Sequence, residues 1–520
     1  MGPNFLAMKQ SKTYVRANRD QQLLLPPDVN CYISDGHFAR WLVRIIDLLD
    51  LSKFTDRYEH DDMDPVGRGR PPYHPSMLLG ILIYGASRRF WTFRRLEQMT
   101  YSDVGARYIT GNLHPDHSCI AKFRKQHADA IGELFAQVVL ACRQAGIVDL
   151  QNVALDSVVI PADASRQSSV KINELEQKFE EAKAIAKSLM DRMEAAEAAE
   201  CEALKEELHQ AKNREKKLQE AIAFLESRKN QSGDSSQDLS SLKKDLDTEE
   251  EQQLAEAASV RAARELKGLS SRGLAKLLGF AASTVHQWEH GAHRIPGDKR
   301  EALRIALDLD HSSLPDLPPT QQAESRKAPA PTSVILSDFE AYWIYRPNCG
   351  YRVGYLGMAT VDSKNQVIID ASVSEKNADA PNLIPSLERI HDTFARWPSQ
   401  FSGDTGFYSH ENQDYTKAHN IRFYSPPQAL QKGHEPSKKS KEMREKLATP
   451  EGRTAYNTRS AVVEPVFGNI KFNMGFVRFW TTRHRNVSCE WSIACTTHNL
   501  LKLFRHVATE LAMKAFSPAP

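Results

Sequence analysis

The sequence is poor in cysteine, and none of its cysteines stands in a paired motif. Seven cysteines are scattered over 520 residues, and no C-x-x-C pair occurs. An odd, scattered set of cysteines argues against a disulfide framework and against a zinc ribbon. No apolar run is long enough to span a bilayer, and the first residues lack the apolar core of a secretory signal. We therefore expect a cytoplasmic protein with no membrane contact.

Hydrophobic periodicity predicts an all-α domain near the beginning of the chain. Apolar residues recur at helical spacing around Leu42, again around Leu78, and a third time around Phe123. Arginines are interspersed among them, which gives the domain one basic face. We interpret residues 35–147 as a helical, DNA-binding domain behind an N-terminal extension of residues 1–34.

A Val-rich segment follows, with no helical period. The segment NVALDSVVIPADAS predicts a buried strand with one acid, Asp156, in its middle. Strand-like sequence returns at residue 333, where two Val/Ile-bearing runs flank a hairpin turn at 362–365. We therefore expect residues 148–170 and 333–515 to form one α/β domain, a mixed sheet flanked by helices.

The segment between these two parts predicts a large helical insertion. Apolar residues in 171–230 follow a heptad rhythm in two phases, which predicts either a helical hairpin or a stuttered coiled coil. Such helices serve as a solvated spacer or as a dimerisation element. Polar linkers at 231–258 and 311–332 enclose a small helical unit at 259–310.

Three acids of the α/β domain stand on two predicted strands and one late helix, at Asp156, Asp404 and Glu464. Carboxylates bind hard divalent cations such as Mg²⁺. Two such ions activate the attacking oxygen of a phosphodiester reaction and stabilise the leaving oxygen. Each acid alone also has a structural explanation, namely a buried hydrogen bond, a turn before Gly406, or an exposed helical side chain.

The segments around these acids resemble a known family. The last acid stands in YNTRSAVVEPVFGNIK, the second in SGDTGFYS, and the first in ALDSVVIPADAS. These segments resemble the insertion-sequence transposases with an RNase H-like DDE catalytic domain, specifically the group with a Tyr-Arg-Glu-Lys motif. The helical region containing HPSMLLGILIYG and PDHSCIAKFRKQH is similar to the N-terminal domain of that family.

The resemblance implies an RNase H-like fold and assigns roles to the motif residues. The three acids would be catalytic and would hold two Mg²⁺ or Mn²⁺ ions: Asp156, Asp404 and Glu464. The remaining motif positions would contact DNA: Tyr456, Arg459 and Lys471. On an ideal helix Glu464, Gly468 and Lys471 share one face, so Lys471 is expected to reach a phosphate held over the metals.

The inserted helical unit contains LSSRGLAKLLGFAASTVHQWEH, which resembles the helix-turn-helix of phage repressors. Its second helix would present its N-terminal side chains to base edges in the major groove. The candidate base contacts are Ser283, Thr284, His286 and Gln287. Arg272 and Lys276 would contact phosphates. The alternative is a three-helix spacer that does not contact DNA.

Charge also points to a nucleic acid, although the whole chain carries a net charge of only +2. The stretch from Lys432 to Arg485 is clearly basic, and backbone binding requires such a surface around an acidic metal centre.

We therefore expect a DNA transposase that binds the terminal inverted repeats of its element and the target DNA. It would cleave and join phosphodiesters, and it would act as a homodimer on DNA because two ends must be paired. Two alternatives stay open. One is a degenerate or domesticated copy that acts as a DNA-binding regulator, and the other is a nuclease relative that hydrolyses DNA without joining it.

Overall fold

The structure is a computed structural model, and it describes most residues of the chain. The described residues are 28–55, 73–165, 168–195, 198–231, 255–280, 282–289, 295, 297–310, 313–315, 333–346, 350–375, 378–428 and 436–516. Most of the predicted extension 1–34 and of the predicted linkers 231–258 and 311–332 lies outside these residues. No helix in the described part of the chain is both long enough and apolar enough to span a membrane.

The contacts divide the chain into two compact units, Met1–Gly85 with Phe93–Ala121, and Ala86–Thr92 with Lys122–Pro520. The boundary after Ala121 places the end of the predicted 35–147 domain in the second unit. Regular structure in the first unit comprises α1 (Phe38–Ile46), α2 (Pro75–Ser87), α3 (Phe93–Ser102) and α4 (Val104–Thr110).

The first unit is helical, as predicted, and its helices begin and end at polar side chains. The Asp103 carboxylate caps α4 by accepting a hydrogen bond from the Ala106 amide at 3.0 Å, and it also accepts one from the Tyr84 hydroxyl at 2.9 Å. Capping satisfies an amide that the first turn of a helix otherwise leaves without a partner. The apolar faces around Leu42, Leu78 and Leu96 are buried.

Helix α5 (His117–Gln126) leads into the second unit. The regular elements up to the second half of the sheet are α6 (Ala128–Gln144), β1 (Asn152–Pro161), β2 (Ser169–Lys171), α7 (Leu175–Ala195), α8 (Ala198–Gln231), α9 (255–266), α10 (Ser271–Leu278), α11 (Ala282–Glu289) and α12 (Gly297–Leu307). The remaining elements are β3 (Ser333–Ile335), β4 (Tyr342–Arg346), β5 (Gly350–Asp362), β6 (Val367–Val373), α13 (Leu383–Phe394), β7 (Gln400–Ser402), α14 (His410–Ala418), β8 (Arg422–Tyr424), α15 (Lys438–Ala448), α16 (Pro450–Gly468) and α17 (His484–Phe516).

A mixed sheet forms the centre of the second unit, as the sequence predicts. Its strand order is β4-β5-β1-β7-β8, and β6 pairs with β5. The hairpin partners β5 and β6 are antiparallel, and so are β1 and β5. Strand β7 runs parallel to β1, and β8 runs parallel to β7. The sheet therefore joins a strand before the helical insertion to strands after it.

Helix α17 packs on this sheet through buried polar contacts as well as apolar ones. The Trp491 indole donates to the Met358 carbonyl at 2.9 Å, and the Asn499 amide both donates to and accepts from the backbone of Ile368. The fully buried Glu490 accepts a hydrogen bond from Arg124 at 2.6 Å. Buried polar groups need such partners, so these contacts determine where α17 lies on the sheet.

The first part of the insertion is a helical hairpin. Helices α7 and α8 pack against each other, with Ala182 buried beside Leu218 and Ala221. The same cluster includes Val170 of β2 and Val334 of β3, which pair antiparallel. The insertion therefore forms the predicted helical hairpin and not one stuttered coiled coil. The apolar faces of its two helices are buried against each other and against this small sheet.

The basic segment of the sequence contains two consecutive helices. The part beyond residue 436 forms α15. Helix α16 begins at Pro450, where the Thr449 hydroxyl caps it by accepting from the Gly452 amide at 3.0 Å. A proline also suits the first helical position. Helix α9, the first helix of the inserted helical unit, starts at residue 255, within the predicted linker 231–258.

Directly after β3, the fully buried Asp338 joins β5 to the beginning of α17. The Tyr355 hydroxyl donates to its two carboxylate oxygens at 2.8 and 2.9 Å, and the Arg483 amide donates to one of them at 3.1 Å. Burial raises the pKa of Asp338 to about 6, although these hydrogen bonds act in the opposite direction.

We expect this carboxyl group to make stability depend on pH. A raised native pKa means that the native state keeps a proton that the unfolded chain releases, so its stabilising effect is complete below about pH 4 and is lost as pH rises through about 6. Asp338→Asn should remove this loss, on the order of 2 kcal/mol. Thermal unfolding of both proteins across this window measures it, with the exposed Asp392→Asn as control. A difference between wild type and Asp338→Asn that is constant with pH would contradict the prediction.

Candidate active site

Asp156 lies in the middle of β1, two residues beyond the last residue that pairs with β7. Its Cα partner on β5 is Ala359, and its side chain is 19% exposed. One carboxylate oxygen accepts a hydrogen bond from the Ser157 amide at 2.8 Å. Burial raises the pKa of Asp156, because the charged form loses hydration there. The strand thus holds a carboxylate in a partly buried position where its charge is costly.

Asp404 follows β7 and caps a short 3₁₀ turn. Its carboxylate accepts a hydrogen bond from the Gly406 amide at 2.8 Å, and its carbonyl accepts one from the Ser425 hydroxyl at 2.6 Å. The next aromatic residue, Phe407, is fully buried and anchors the turn. The orientation of Asp404 is therefore determined by hydrogen bonds on both sides of the residue.

The register of the parallel strands brings the two acids together. Ala154 of β1 pairs with Ser402 of β7, and each acid stands two residues further along its chain. Since side chains alternate along a strand, Asp156 and Asp404 project toward the same side of the sheet. Asp404 also raises the pKa of Asp156, which means that the two charges interact.

Arg459 of α16 is the cation that lies against this pair. Its guanidinium donates to Asp156 at 2.7 Å and lies 5.8 Å from the centre of the Tyr456 ring. The Arg459 charge lowers the pKa of Asp156 and so opposes the effect of burial. Among the described residues, the Arg459 Nε atom has no hydrogen-bond partner. The predicted motif residues Tyr456 and Arg459 are thus both brought to the first acid.

Glu464 lies on the same helix but on another face. Residues that point toward the sheet are buried, among them Val462, Val463 and Val466, whereas Glu464 is exposed. It stands five positions after Arg459, which corresponds to a rotation of about 140° around a helix. Within the described ranges, no three His, Cys, Asp or Glu side chains come close enough together to hold a metal ion. The structure brings Asp156, Asp404 and Arg459 together and leaves Glu464 apart.

The ideal-helix argument for Lys471 was wrong. Helix α16 ends at Gly468, and Lys471 lies in a π-helical turn, Asn469–Asn473. Wider turns of this kind change the angle between successive side chains, so Glu464 and Lys471 do not share a face by α-helical spacing. The turn is anchored by Trp91, whose indole donates to the Met474 carbonyl at 2.7 Å. Lys471 itself is half-buried.

Crowding near the second acid explains a glycine that the sequence analysis treated as a turn residue. A Cβ atom at Gly406 would lie 2.7 Å from an Asp379 carboxylate oxygen and 3.1 Å from one of Asp404. Asp379 is a further carboxylate beside the site, and the sequence motifs did not identify it as a site residue. The Asp-x-Gly spacing is the sequence signal for this close approach.

The donor set fits a divalent cation. Asp156 and Asp404 present hard carboxylate oxygens from adjacent strands, which is the chemistry that Mg²⁺ and Mn²⁺ prefer. Burial and the neighbouring Asp404 both disfavour the charge on Asp156, and a cation between the two carboxylates would relieve both effects. Arg459 supplies one positive charge there, through its hydrogen bond to Asp156.

The inserted helical unit has its own well-packed core. Leu274, Val285, Trp288 and Leu303 are buried together. Helix α10 ends at Gly279, whose positive φ of 72° suits glycine.

Buried ion pairs hold the helices of this unit together. The buried Glu289 accepts hydrogen bonds from Arg264 and from the Ser271 hydroxyl. The buried Arg300 pairs with Glu256 through two hydrogen bonds of 2.9 and 2.6 Å. Helix α11, which ends at Glu289, is therefore held to its neighbours by buried contacts.

The outer face of α11 carries the predicted base contacts. His286 and Gln287 are exposed, and Thr284 is half-buried. Ser283 lies in the first turn of the helix, and its side chain is outside the described part of the structure. The positions with described side chains are consistent with a helix that packs through Val285 and Trp288 and presents Thr284, His286 and Gln287 outward.

Three family models match the chain. "Transposase domain (DUF772)" matches residues 27–126, "Transposase DDE domain" matches 317–500, and "Helix-turn-helix" matches 260–308. No curated protein and no solved structure gives a match. The DDE match begins after the insertion and so does not include β1, yet the strand pairing places Asp156 in the same sheet.

The DDE match implies an RNase H-like fold, and the mixed sheet with its flanking helices is compatible with it. The predictions of a transposase and of a helix-turn-helix are confirmed, and the three matches follow the order of the predicted domains. The chain thus carries transposase domains of the DDE type together with an inserted helix-turn-helix, which is consistent with an insertion-sequence transposase.

Proposed function

We propose that this transposase binds the terminal inverted repeats of an insertion sequence, cleaves the DNA there and joins the released 3′ ends to target DNA. The observation that carries the proposal is the pair Asp156 and Asp404, held on one side of the sheet by the register of β1 and β7. A DDE domain surrounds the second acid. Phosphodiester transfer needs such an anionic centre for divalent cations beside cationic groups for phosphate.

Asp156, Asp404 and Glu464 would hold two Mg²⁺ or Mn²⁺ ions. When bound, these ions lower the pKa of the attacking hydroxyl group and stabilise the leaving oxygen. Asp404 is already oriented for this role by the Gly406 amide. Glu464 is exposed in this structure, so the proposal requires the part of α16 that carries it to turn toward β1 when DNA binds.

Arg459 would then exchange partners. It pairs with Asp156 in this structure, where it offsets part of the repulsion between the two acids. A scissile phosphate offers a guanidinium a bidentate partner, so Arg459 is suited to leave Asp156 for phosphate as cations take over its place. Tyr456 stacks beside the guanidinium and limits its orientation. Lys471 would contact a neighbouring phosphate.

The helix-turn-helix would read the ends of the element. A recognition helix places its first residues against base edges in the major groove, which corresponds here to Ser283, Thr284, His286 and Gln287. Pairing two ends requires two catalytic domains in one complex, so we propose a homodimer on DNA, located at the bacterial nucleoid. A complex that completes strand transfer as a monomer would refute the dimer.

We expect Asp404→Asn to abolish cleavage while it leaves DNA binding unchanged. The substitution keeps the size of the side chain but removes the charge that holds a cation, so the rate should fall by at least about 100-fold. The assay measures nicking and strand transfer on a duplex that carries the element's own end, with Mg²⁺ or Mn²⁺. Asp392→Asn, an exposed acid on α13, should cleave like wild type. Tight binding without cleavage by wild type itself would instead support a DNA-binding regulator.

Glu464→Gln tests the third ligand separately. If Glu464 completes the centre, this variant should lose cleavage to the same extent as Asp404→Asn. The matched control is Glu451→Gln, an exposed acid on the same helix that pairs with Arg422 at 2.9 Å. Full activity of Glu464→Gln in the same assay would remove this residue from the proposed ligand set and leave the other two acids in place.

Gln287→Ala should weaken binding to the element's end by about 1–3 kcal/mol, because a base contact is lost. Binding to duplexes of unrelated sequence should not change. Lys276→Ala provides the contrast, since a phosphate contact contributes equally to both DNAs. Anisotropy titrations with both duplexes give the comparison. If Gln287→Ala weakened both to the same degree, base recognition by this side chain would be excluded.

A further inference from the structure

A second cavity of about 500 Å³ opens between the β5–β6 turn and the second half of α17. Lys364 and Asn365 line it from the turn, and Lys502, Arg505 and Thr509 line it from α17. Successive members of the three helical residues are three and four positions apart, which puts them along one side of the helix. The cavity lies in the second unit and contains none of the acids described above.

Its lining is cationic without any acidic side chain. In the described part of the chain, no carboxylate forms an ion pair with Lys364, Lys502 or Arg505, and Lys502 donates a hydrogen bond to the Gln366 side chain at 3.1 Å. Burial and the neighbouring Arg505 both lower the pKa of Lys502. Positive charges are thus held near each other at an electrostatic cost, and a bound anion would offset that cost.

The cations are held by a rigid scaffold. The Asp362 carboxylate faces inward and accepts hydrogen bonds from the Leu150 and Lys364 amides at 2.7 and 2.9 Å. The Asn365 side chain donates to the Ile147 carbonyl at 3.2 Å. The buried His498 of α17 lies 3.0 Å from the Gln366 carbonyl. The turn and the helix are thereby joined to each other, so the backbone positions of the residues that line the cavity do not depend on a ligand.

The basic cavity shares one lining residue with a cavity that reaches Arg459. Ser363 lines both this cavity and the one beneath α16, where Arg459 lies. The Gln366 side chain also donates to the Ala461 carbonyl of α16 at 3.0 Å. A ligand at the basic cavity would therefore be held next to the helix that carries Arg459 and Glu464.

We propose that this cavity binds a backbone phosphate of duplex DNA and so positions the DNA that enters the active site. The proposal rests on the function proposed above. The anionic backbone matches the charge of Lys364, Lys502 and Arg505, and Asn365 and Thr509 provide neutral hydrogen-bonding groups for phosphate oxygens. A backbone phosphate is the same in every sequence, so we expect this contact to be independent of DNA sequence.

The first experiment measures the salt dependence of DNA binding by the full chain. The double variant Lys364→Gln/Arg505→Gln is compared with wild type and with Lys417→Gln, an exposed lysine on α14, which packs at the opposite edge of the sheet beside β8. The probe is a fluorescent duplex of arbitrary sequence. Each phosphate contact contributes about 0.9 to the slope of log K against log salt, so we expect the slope of the double variant to be smaller by about 1. The Lys417→Gln slope should equal that of wild type.

A slope unchanged in the double variant overturns the proposal. Removing repelling cations should not lower the thermal midpoint. If the double variant both binds less tightly and melts at a lower temperature, the measurement is repeated with the single variant Lys364→Gln, on the exposed turn. We expect this variant to keep the wild-type midpoint and to show a smaller salt slope than wild type.

Inorganic phosphate at matched ionic strength serves as the second probe. If phosphate raises the thermal midpoint of wild type but not of the double variant while the duplex slope is unchanged, the cavity is a site for small anions and not for DNA. The cleavage assay separates this result from failure of the proposed function. Wild type that cleaves DNA with an unchanged slope in the double variant refutes the cavity alone, and wild type that binds without cleaving refutes the function alone.

Discussion

The parallel pairing of β1 with β7 is the constraint on which the candidate site depends. The two strands are separated in the chain by the whole helical insertion, and their register places Ala154 opposite Ser402. This pairing puts two carboxylates on one side of the sheet, where burial and mutual repulsion raise the pKa of Asp156. The chain tolerates this cost because Arg459 and backbone amides compensate part of it.

Helices α16 and α17 complete the surroundings of this pair in different ways. Helix α17 is attached to the sheet by hydrogen bonds from Trp491 and Asn499, which fix its position on the sheet. Helix α16 presents Arg459 to the acids and keeps Glu464 in solvent. It then changes to a π-helical turn before Lys471. Irregular turns of this kind often occur at functional sites, and here such a turn carries Lys471.

The insertion lies between β1 and the rest of the sheet without disturbing either. Its hairpin buries its own apolar face together with β2 and β3, and the helix-turn-helix has a separate core with buried ion pairs. Each part therefore satisfies its own apolar and polar groups, which is the physical condition for a domain that folds within another. DNA recognition and chemistry can thus reside in one chain and use separate surfaces.

The sequence by itself determined the elements whose signals are local. Strand β1 with Asp156, the β5–β6 hairpin and the helix-turn-helix follow from periodicity, turn residues and motif spacing, and family matches confirm the transposase and the helix-turn-helix. Tertiary structure alone decided which face of α16 meets the sheet, and this places Arg459 rather than Glu464 against Asp156. It also decided that Lys364 and Arg505, far apart in the chain, share a cavity without a carboxylate. Packing and charge neighbours depend on contacts between distant residues, and the spacing of motifs along a chain contains no information about such contacts.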